Sequence, residues 1–337
     1  TGIENTAIGY QSLSANTTAS FNTALGRKAL RDNTTGNSNT AVGTDALLET
    51  TTGSLNTAVG YQSLAANTTA NDNTAVGYKA LKVNTTGTRN TGIGCSAFDA
   101  NTTGSYSVAV GYGALSANTT ADYNVAVGYN ALNANTTGTQ NNAFGRGALE
   151  TNTTASYNSA FGYAALNANT TGANNVAVGH NALLVNTTGH SNVAIGNYAG
   201  DANTTGAKNT AIGYNALTAN TTADDNTAVG YESLTACTTG TRNTAMGYEA
   251  AQTSTTASYI TAFGYGALYA NTVNDNTAFG YAALYTNTTG ERNTAVGSES
   301  LDHNTTGSDN VAVGHDALTA NTTGIDNVAV GSYALDA

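Results

Sequence analysis

The residues that could act as metal ligands or general bases are few and scattered. The chain has four histidines, His180, His190, His303 and His315. Metal centres and catalytic triads need several such side chains within a few ångströms of one another. In a stacked structure with a rise of about 4.8 Å per repeat, His180 and His315 would lie roughly 38 Å apart. The histidines therefore predict no metal site, and we expect no cofactor.

One short stretch contains the residue types of a serine hydrolase. Its members are Ser298, Glu299, Ser300, Asp302 and His303. Adjacent side chains in an extended segment point alternately to opposite faces, so this stretch does not bring them together. We interpret them as variable surface positions and do not expect an enzyme.

A third candidate chemistry is N-glycosylation. Fifteen Asn-Thr-Thr sequons recur along the chain, among them those at Asn16, Asn118 and Asn321. In a secretory protein such sequons are glycan acceptors. The alternative is that the Asn and Thr side chains bond to the backbone of a turn, which the short and repetitive motif favours.

Tyrosines recur at a constant spacing in one part of the chain. The run consists of Tyr214, Tyr231, Tyr248, Tyr265 and Tyr281. If they stack, they form an aromatic surface that could contact sugars or other surfaces. The alternative is that these amphipathic rings only cover a corner of the fold.

All these spacings follow from one repeat. Twenty repeats start at Asn5, Asn22, Asn39 and every seventeen residues thereafter, except that the repeat at 260–275 has sixteen residues. The consensus N-T-A-V-G-Y-x-A-L-x-A-N-T-T-G-x-x numbers the repeat positions 1 to 17. We expect residues 1–337 to form a single continuous array without end-caps, either cut from a longer array or left as a processed product.

The period of the apolar residues predicts strands. Positions 2, 4 and 6 alternate with 1, 3 and 5, and seventeen residues are too few for two helices. They have room for two short strands and two turns, which is one lap of a parallel β-solenoid of about 20 laps. The shortened repeat places a turn at positions 14 to 17, because a deletion within a strand would reverse every later side chain. The invariant glycine at position 5 predicts a positive φ or a close backbone approach.

The interior is predicted from the larger apolar side chains. Those at positions 4 and 9, such as Val59 and Leu64, should fill it. The asparagines at position 1 should form a hydrogen-bonded ladder along the stack. The small residues at positions 3 and 5 suit either a cramped turn or a close contact between chains.

Charge excludes some partners and suggests a register. The net charge is −11 and only 9% of residues are charged, which disfavours nucleic acid as a partner. No apolar run is long enough to insert into a membrane. At position 17, Lys208, Asp225 and Arg242 should lie on neighbouring laps and favour correct stacking.

Cys95 and Cys237 lie eight repeats apart, so no disulfide is expected between them.

The segments NTAVGY, NVAIGN and SVAVGY resemble the S-V-A-I-G core of the head repeats of trimeric autotransporter adhesins. The pattern N-T-A-V-G-Y-x-A-L also resembles repeats of phage tail-fibre proteins and of bacterial surface proteins that end in an intramolecular chaperone domain. The resemblance covers the whole chain through a short motif, although the adhesin repeat is somewhat shorter. It implies a parallel β-roll with three chains around one axis and a role in attachment. We expect a left-handed roll, intertwined or packed as a homotrimer.

The expected function is that of a structural or adhesive fibre segment, the shaft or head of a surface adhesin or tail fibre. It would be extracellular, on a cell surface or a virion. Its partners would be copies of itself, as a homotrimer or filament, and a surface glycan or receptor. The alternative is an ice-binding β-solenoid with Thr and Asn ladders. Valine at position 2, as in Val125, and the opposite directions of positions 13 and 14 argue against it.

Overall fold

The computed structural model describes residues 2–336, and within them the chain is all-β with no helix. Each repeat contributes one strand of three residues at positions 2 to 4. The strands lie in two compact parts, the N-terminal segment (Thr1–Thr171) and the C-terminal segment (Gly172–Ala337). The N-terminal segment holds β1 (Thr6–Ile8), β2 (Thr23–Leu25), β3 (Thr40–Val42), β4 (Thr57–Val59), β5 (Thr74–Val76), β6 (Thr91–Ile93), β7 (Val108–Val110), β8 (Val125–Val127), β9 (Asn142–Phe144) and β10 (Ser159–Phe161). The C-terminal segment holds β11 (Val176–Val178), β12 (Val193–Ile195), β13 (Thr210–Ile212), β14 (Thr227–Val229), β15 (Thr244–Met246), β16 (Thr261–Phe263), β17 (Thr277–Phe279), β18 (Thr294–Val296), β19 (Val311–Val313) and β20 (Val328–Val330).

Within each segment every strand pairs in parallel with the next strand along the chain. In β1 and β2, Thr6 lies opposite Thr23. In β11 and β12, Val176 lies opposite Val193. The same seventeen-residue register continues through the other pairs of each segment, with one exception. Each segment is therefore a parallel β-solenoid with ten strands, one per lap, which confirms the predicted parallel β-solenoid and its seventeen-residue repeat.

The exception is the shortened repeat. Thr261 of β16 lies opposite Thr277 of β17, a step of sixteen residues, and the strands stay in register. The missing residue falls in the turn before β17, as predicted. In this shorter turn the Nδ2 of Asn271 donates to the carbonyl of Val273 at 2.7 Å. Its Oδ1 accepts from the Nδ2 of Asn276 at 2.9 Å, so the side chain of Asn271 ties the shortened loop together.

The interior is lined by alanine and leucine, which corrects the prediction for position 4. Ala58, at the centre of its strand, is fully buried, and so is Leu64 at position 9. Val59 was predicted to fill the interior, but it is only half-buried on the outer face of the strand. The reason is space. In the repeat where Gly92 replaces alanine, an added Cβ would lie 3.1 Å from the Cγ of Leu81, so leucine already fills the volume above the strand centre.

The glycine at position 5 meets both conditions predicted for it. Gly60 has a φ of 132°, and a Cβ placed there would lie 2.4 Å from the carbonyl oxygen of Gly77 in the next lap. The same pairing of positive φ and a clash below 3 Å recurs at position 5 from Gly9 to Gly145 and from Gly179 to Gly314. Any side chain here would be strained and would push neighbouring laps apart.

The rest of each lap consists of turns, so the expected second strand is wrong. Backbone bonds between laps continue there: the N–H of Leu64 donates to the carbonyl of Ala80 at 3.0 Å. Leu64 and Gln62 have φ values of 49° and 54°, and most laps have three such non-glycine residues, at positions 7, 9 and 17. A left-handed residue costs about 1–2 kcal/mol. The hydrogen bond that each of these N–H groups makes to an adjacent lap offsets part of that cost.

Two buried columns of asparagine follow each solenoid. At position 1, the N–H of Asn56 donates to the Oδ1 of Asn39 at 3.0 Å, which confirms the predicted ladder. At position 12, the Nδ2 of Asn101 donates to the Oδ1 of Asn84 at 2.7 Å and to the carbonyl of Gly104 at 2.9 Å. Because these amides use donors and acceptors on both neighbours, they can stay fully buried.

Candidate functional site

The five tyrosines predicted as a surface ladder do stack in the C-terminal segment. Their successive ring centroids lie 5.4, 5.0, 5.1 and 5.3 Å apart, with interplanar angles of 3° to 17°. The seventeen-residue step brings them onto adjacent laps, and the shortened turn before β17 keeps the last one in line. The ladder consists of Tyr214, Tyr231, Tyr248, Tyr265 and Tyr281. Each ring is between 42% and 53% exposed, so the ladder is a continuous aromatic surface open to solvent.

Carboxylates flank the tyrosine ladder at position 7. A hydrogen bond to Glu232 raises the pKa of the Tyr231 hydroxyl, and one to Glu249 raises that of Tyr248. These phenols therefore stay protonated and can donate. The ladder thus offers apolar ring edges beside hydroxyl donors and carboxylate acceptors, the combination that suits recognition of an amphipathic ligand.

Further aromatic columns were not singled out from the sequence. Phe144 and Phe161 stack at position 4 with centroids 4.9 Å apart, and Tyr269 and Tyr285 stack at position 10 with centroids 4.8 Å apart. The signal was present, because each pair occupies one repeat position in consecutive repeats. An isolated pair stands out less than a run of five.

The outward face of the strands is a second candidate surface. Position 4 is apolar in all twenty repeats, yet it faces away from the core. Ile8 is 59% exposed, and Phe144 and Ile195 are 36% and 40% exposed. Neither position 2 nor position 4 carries a charged residue in any repeat. We call this the outer strand face: an uncharged surface on each segment, with apolar side chains at position 4.

The folded chain does not support glycosylation at Asn118. Its side chain is fully buried, and its Nδ2 donates to the carbonyl of Ala121 at 3.0 Å and to Asn101 at 3.4 Å. A glycan on that nitrogen would need space that the core lacks. Asn16 and Asn321 occupy the same position in less buried laps, and the Nδ2 of each donates to a backbone carbonyl at 3.2 Å.

The residue types of a hydrolase do not form a triad. The hydroxyl of Ser300 donates to the carbonyl of Gly297 at 3.1 Å. His303 is exposed, and its Nδ1 lies 3.6 Å from the carboxylate of the adjacent Asp302. Within residues 2–336 no group of three or more His, Cys, Asp or Glu side chains is arranged to hold a metal ion. Cys95 is exposed, Cys237 is buried, and both are free thiols.

The charged trio at position 17 confirms the register but does not form ion pairs. The backbone N–H of Asp225 donates to the carbonyl of Ala207, the residue before Lys208, at 3.1 Å. The backbone N–H of Arg242 donates to the carbonyl of Asp224, the residue before Asp225, at 3.3 Å. Among the described residues no ion pair within 4 Å joins Lys208, Asp225 or Arg242. Arg242 instead donates to the hydroxyl of Tyr259 at 2.5 Å.

Opposite charges do pair elsewhere in the same column. Arg292 donates to both carboxylate oxygens of Asp309, at 2.7 and 2.8 Å, and this contact lowers the pKa of Asp309. Arg89 lies 3.9 Å from Asp72. Both pairs are exposed, so they favour a register more than they stabilise the fold.

No helix in the described part of the chain is long and apolar enough to cross a membrane. Comparison of the chain with protein-family models, with curated proteins and with solved structures gave no significant match.

Proposed function

We propose that the chain is a segment of a structural fibre, extracellular or on a virion, that assembles from copies of itself and attaches to surfaces. Assembly would use the outer strand face, and attachment would use the tyrosine ladder. The homotrimer implied by the resemblance to adhesin head repeats is the favoured assembly. No catalytic role is proposed.

The outer strand face carries this proposal. A solenoid whose core is closed by alanine and leucine does not need apolar residues at position 4, because that side chain faces solvent. An apolar side chain stands at position 4 of every lap, exposed in some laps and half-buried in others, so these side chains form an apolar stripe along each segment. Such stripes are typical of interfaces between chains. The absence of charge at positions 2 and 4 removes the desolvation cost that charged side chains would add to association.

Phe144→Glu tests self-association, because it places a charge in the stripe without entering the core. We expect this variant to shift the chain from an oligomer to a monomer in sedimentation equilibrium. Thr154→Glu is the matched control, since Thr154 is an exposed turn residue of the same repeat. A wild-type chain that sediments as a monomer, or equal behaviour of both variants, would overturn the self-association part of the proposal.

The tyrosine ladder is tested by replacing its five tyrosines with serine. We expect loss of binding to surfaces that the wild-type chain coats, because serine removes the continuous aromatic area and keeps a hydroxyl. The control replaces the exposed stack of Tyr106 and Tyr123 at position 17 of the N-terminal segment. Unchanged attachment of the five-fold variant would leave the ladder as a cover for a corner of the solenoid.

Ice binding is the second candidate, and one observation favours it. Position 2 is threonine in six consecutive strands of each segment, β1 to β6 and β13 to β18, and this position faces outward. Each row places threonines about 4.8 Å apart along the sheet. Thermal hysteresis above that of an unrelated protein would support this function, and its absence would reject it.

A further inference from the structure

Two tyrosine stacks end on the same lap of the C-terminal segment. The ladder at position 6 ends with Tyr281, and the shorter stack at position 10 ends with Tyr285. In the next repeat, position 6 is Ser298 and position 10 is Asp302. The rings of Tyr281 and Tyr285 therefore have an aromatic neighbour on the preceding lap only.

A groove of about 390 Å³ lies between these stack ends. Its walls are the tyrosine side chains, and the next lap contributes two carboxylates. In the two repeats that carry Tyr269 and Tyr285, position 7 is the small residue Gly266 or Ala282. A Cβ added to Gly266 would lie 2.9 Å from the ring of Tyr285. The full lining is Tyr265, Tyr281, Ala282, Tyr285, Glu299 and Asp302.

The carboxylates of the groove lack a strong cationic partner among residues 2–336. The Oδ1 of Asp302 is buried and accepts no hydrogen bond, and the nearest cation-forming group is the Nδ1 of His303 at 3.6 Å. Burial raises the pKa of Asp302. Glu299 is half-buried and has no ion pair within 4 Å. The groove therefore combines negative carboxylates with the negative faces of aromatic rings.

Elsewhere the chain places its own cations on stacked tyrosines. The Nζ of Lys79 lies 4.9 Å from the ring centroid of Tyr78, and the guanidinium of Arg146 lies 5.8 Å from that of Tyr129. Arg146 stands at position 6 one repeat after Tyr129, the relation that Ser298 has to Tyr281. A residue at position 6 can thus hold a cation over the last tyrosine ring of the preceding laps. After Tyr281 this residue is Ser298, which carries no charge.

From these observations we infer that the groove between Tyr281 and Tyr285 binds an alkylammonium group, either a lysine side chain or a choline headgroup. Aromatic rings combined with carboxylates recognise such cations through cation–π and charge attraction. We call this site the ammonium groove. The biological role of the ammonium groove rests on the proposed attachment function. The groove adds to that function a class of ligand that the tyrosine ladder would bind.

The inference is tested by calorimetric titration of the whole chain at constant ionic strength. The probes are choline, a blocked lysine amide, and the neutral isostere of choline in which carbon replaces nitrogen. We expect saturable binding of one or both cations and at least about fivefold weaker binding of the isostere. Stronger binding of choline than of lysine would identify a headgroup, and the reverse would identify a protein side chain.

Three variants separate the groove from the rest of the ladder. Glu299→Gln should weaken cation binding about fivefold, whereas Glu249→Gln, in the middle of the ladder, should not. Ser298→Arg should abolish binding by placing the chain's own cation on Tyr281, as Arg146 does on Tyr129. Ser298→Gln controls for the size of that side chain.

Equal binding of choline and its isostere, or cation binding that Ser298→Arg leaves intact, would overturn the inference. So would the absence of binding by both cations. If the cations fail to bind while serine substitution of the tyrosine ladder still abolishes attachment, the ammonium groove is wrong and the proposed attachment function stands. If the cations bind while attachment is unchanged, only the attachment function fails.

Discussion

Thr50→Asn should stabilise the N-terminal segment, because Thr50 interrupts the buried asparagine column at position 12. In most uninterrupted laps the Nδ2 of one asparagine donates to the Oδ1 of the preceding one, at 2.7 Å between Asn101 and Asn84, although the Oδ1 of Asn16 in the first lap has no such donor. Thr50 has no amide donor, and the buried Oδ1 of Asn33 has no hydrogen-bond partner. On its other side, Thr50 offers Asn67 only a hydroxyl oxygen at 3.4 Å.

The size of the effect follows from this unmet acceptor. A buried acceptor without a partner costs about 1–3 kcal/mol, and a typical hydrogen bond contributes about 0.5–1.5 kcal/mol net. Asparagine at position 50 would donate to Asn33 and accept from Asn67. Its volume fits, because the same position is asparagine in the neighbouring laps. We expect the free energy of unfolding to rise by about 1–2 kcal/mol.

The second interruption of this column should behave differently. Cys237 leaves the Oδ1 of Asn220 without a partner, but position 12 of the next lap is Ser254, whose hydroxyl donates to the carbonyl of Asn271 at 2.9 Å. Cys237→Asn alone would only move the unmet acceptor one lap onward, so we expect a change within about 0.5 kcal/mol. The double variant with Ser254→Asn continues the column and should gain about 1–2 kcal/mol.

Urea unfolding combined with amide hydrogen exchange measures both effects. Exchange is needed because repeat arrays can unfold segment by segment, and the protection of individual laps reports the local free energy. The reverse substitution, Asn84→Thr, is the control and should destabilise its lap. If Thr50→Asn brings no gain, or if Cys237→Asn alone gains as much as the double variant, the column does not act through these hydrogen bonds.

Two further predictions concern glycine and cysteine. Gly60→Ala should lower the free energy of unfolding by about 3 kcal/mol or more, because the Cβ would meet the next backbone at 2.4 Å. Gly113→Ala should cost only about 1–2 kcal/mol, the cost of a left-handed residue, since its φ is 61° and only the flexible side chain of Asn130 lies within 3 Å. Equal losses in thermal unfolding for the two variants would contradict the role given to position 5. Burial raises the pKa of the Cys237 thiol from 9.0 to about 11. As the pH rises, the unfolded chain therefore loses this proton before the folded chain does. The free energy of unfolding should fall by roughly 2–3 kcal/mol as the pH rises through these two values. The fall is measured as the difference between wild type and Cys237→Ala, with Cys95→Ala as the exposed control, and an identical pH profile for all three chains would refute it.

The sequence by itself determined the register of this protein. A strict seventeen-residue repeat fixes which residues lie on neighbouring laps, so the tyrosine ladder, the asparagine column at position 1 and the order of Lys208, Asp225 and Arg242 could all be predicted. The sixteen-residue repeat identified a turn, because only a turn can lose a residue without reversing the strand that follows. The invariant glycine predicted its own backbone constraint, since no other residue tolerates both the positive φ and the close approach.

Only the tertiary structure decided which face of the strand is inside. Alternation shows that positions 2 and 4 share a face, but it is symmetric and does not say which face is buried. The usual preference for large apolar residues in the core predicted Val59, and it failed because the leucine at position 9 folds over the strand centre and leaves room only for alanine. The left-handed turns at positions 7, 9 and 17 could not be predicted from the sequence either. Their side chains are ordinary, and these conformations are held by hydrogen bonds to adjacent laps, which exist only once the laps have stacked.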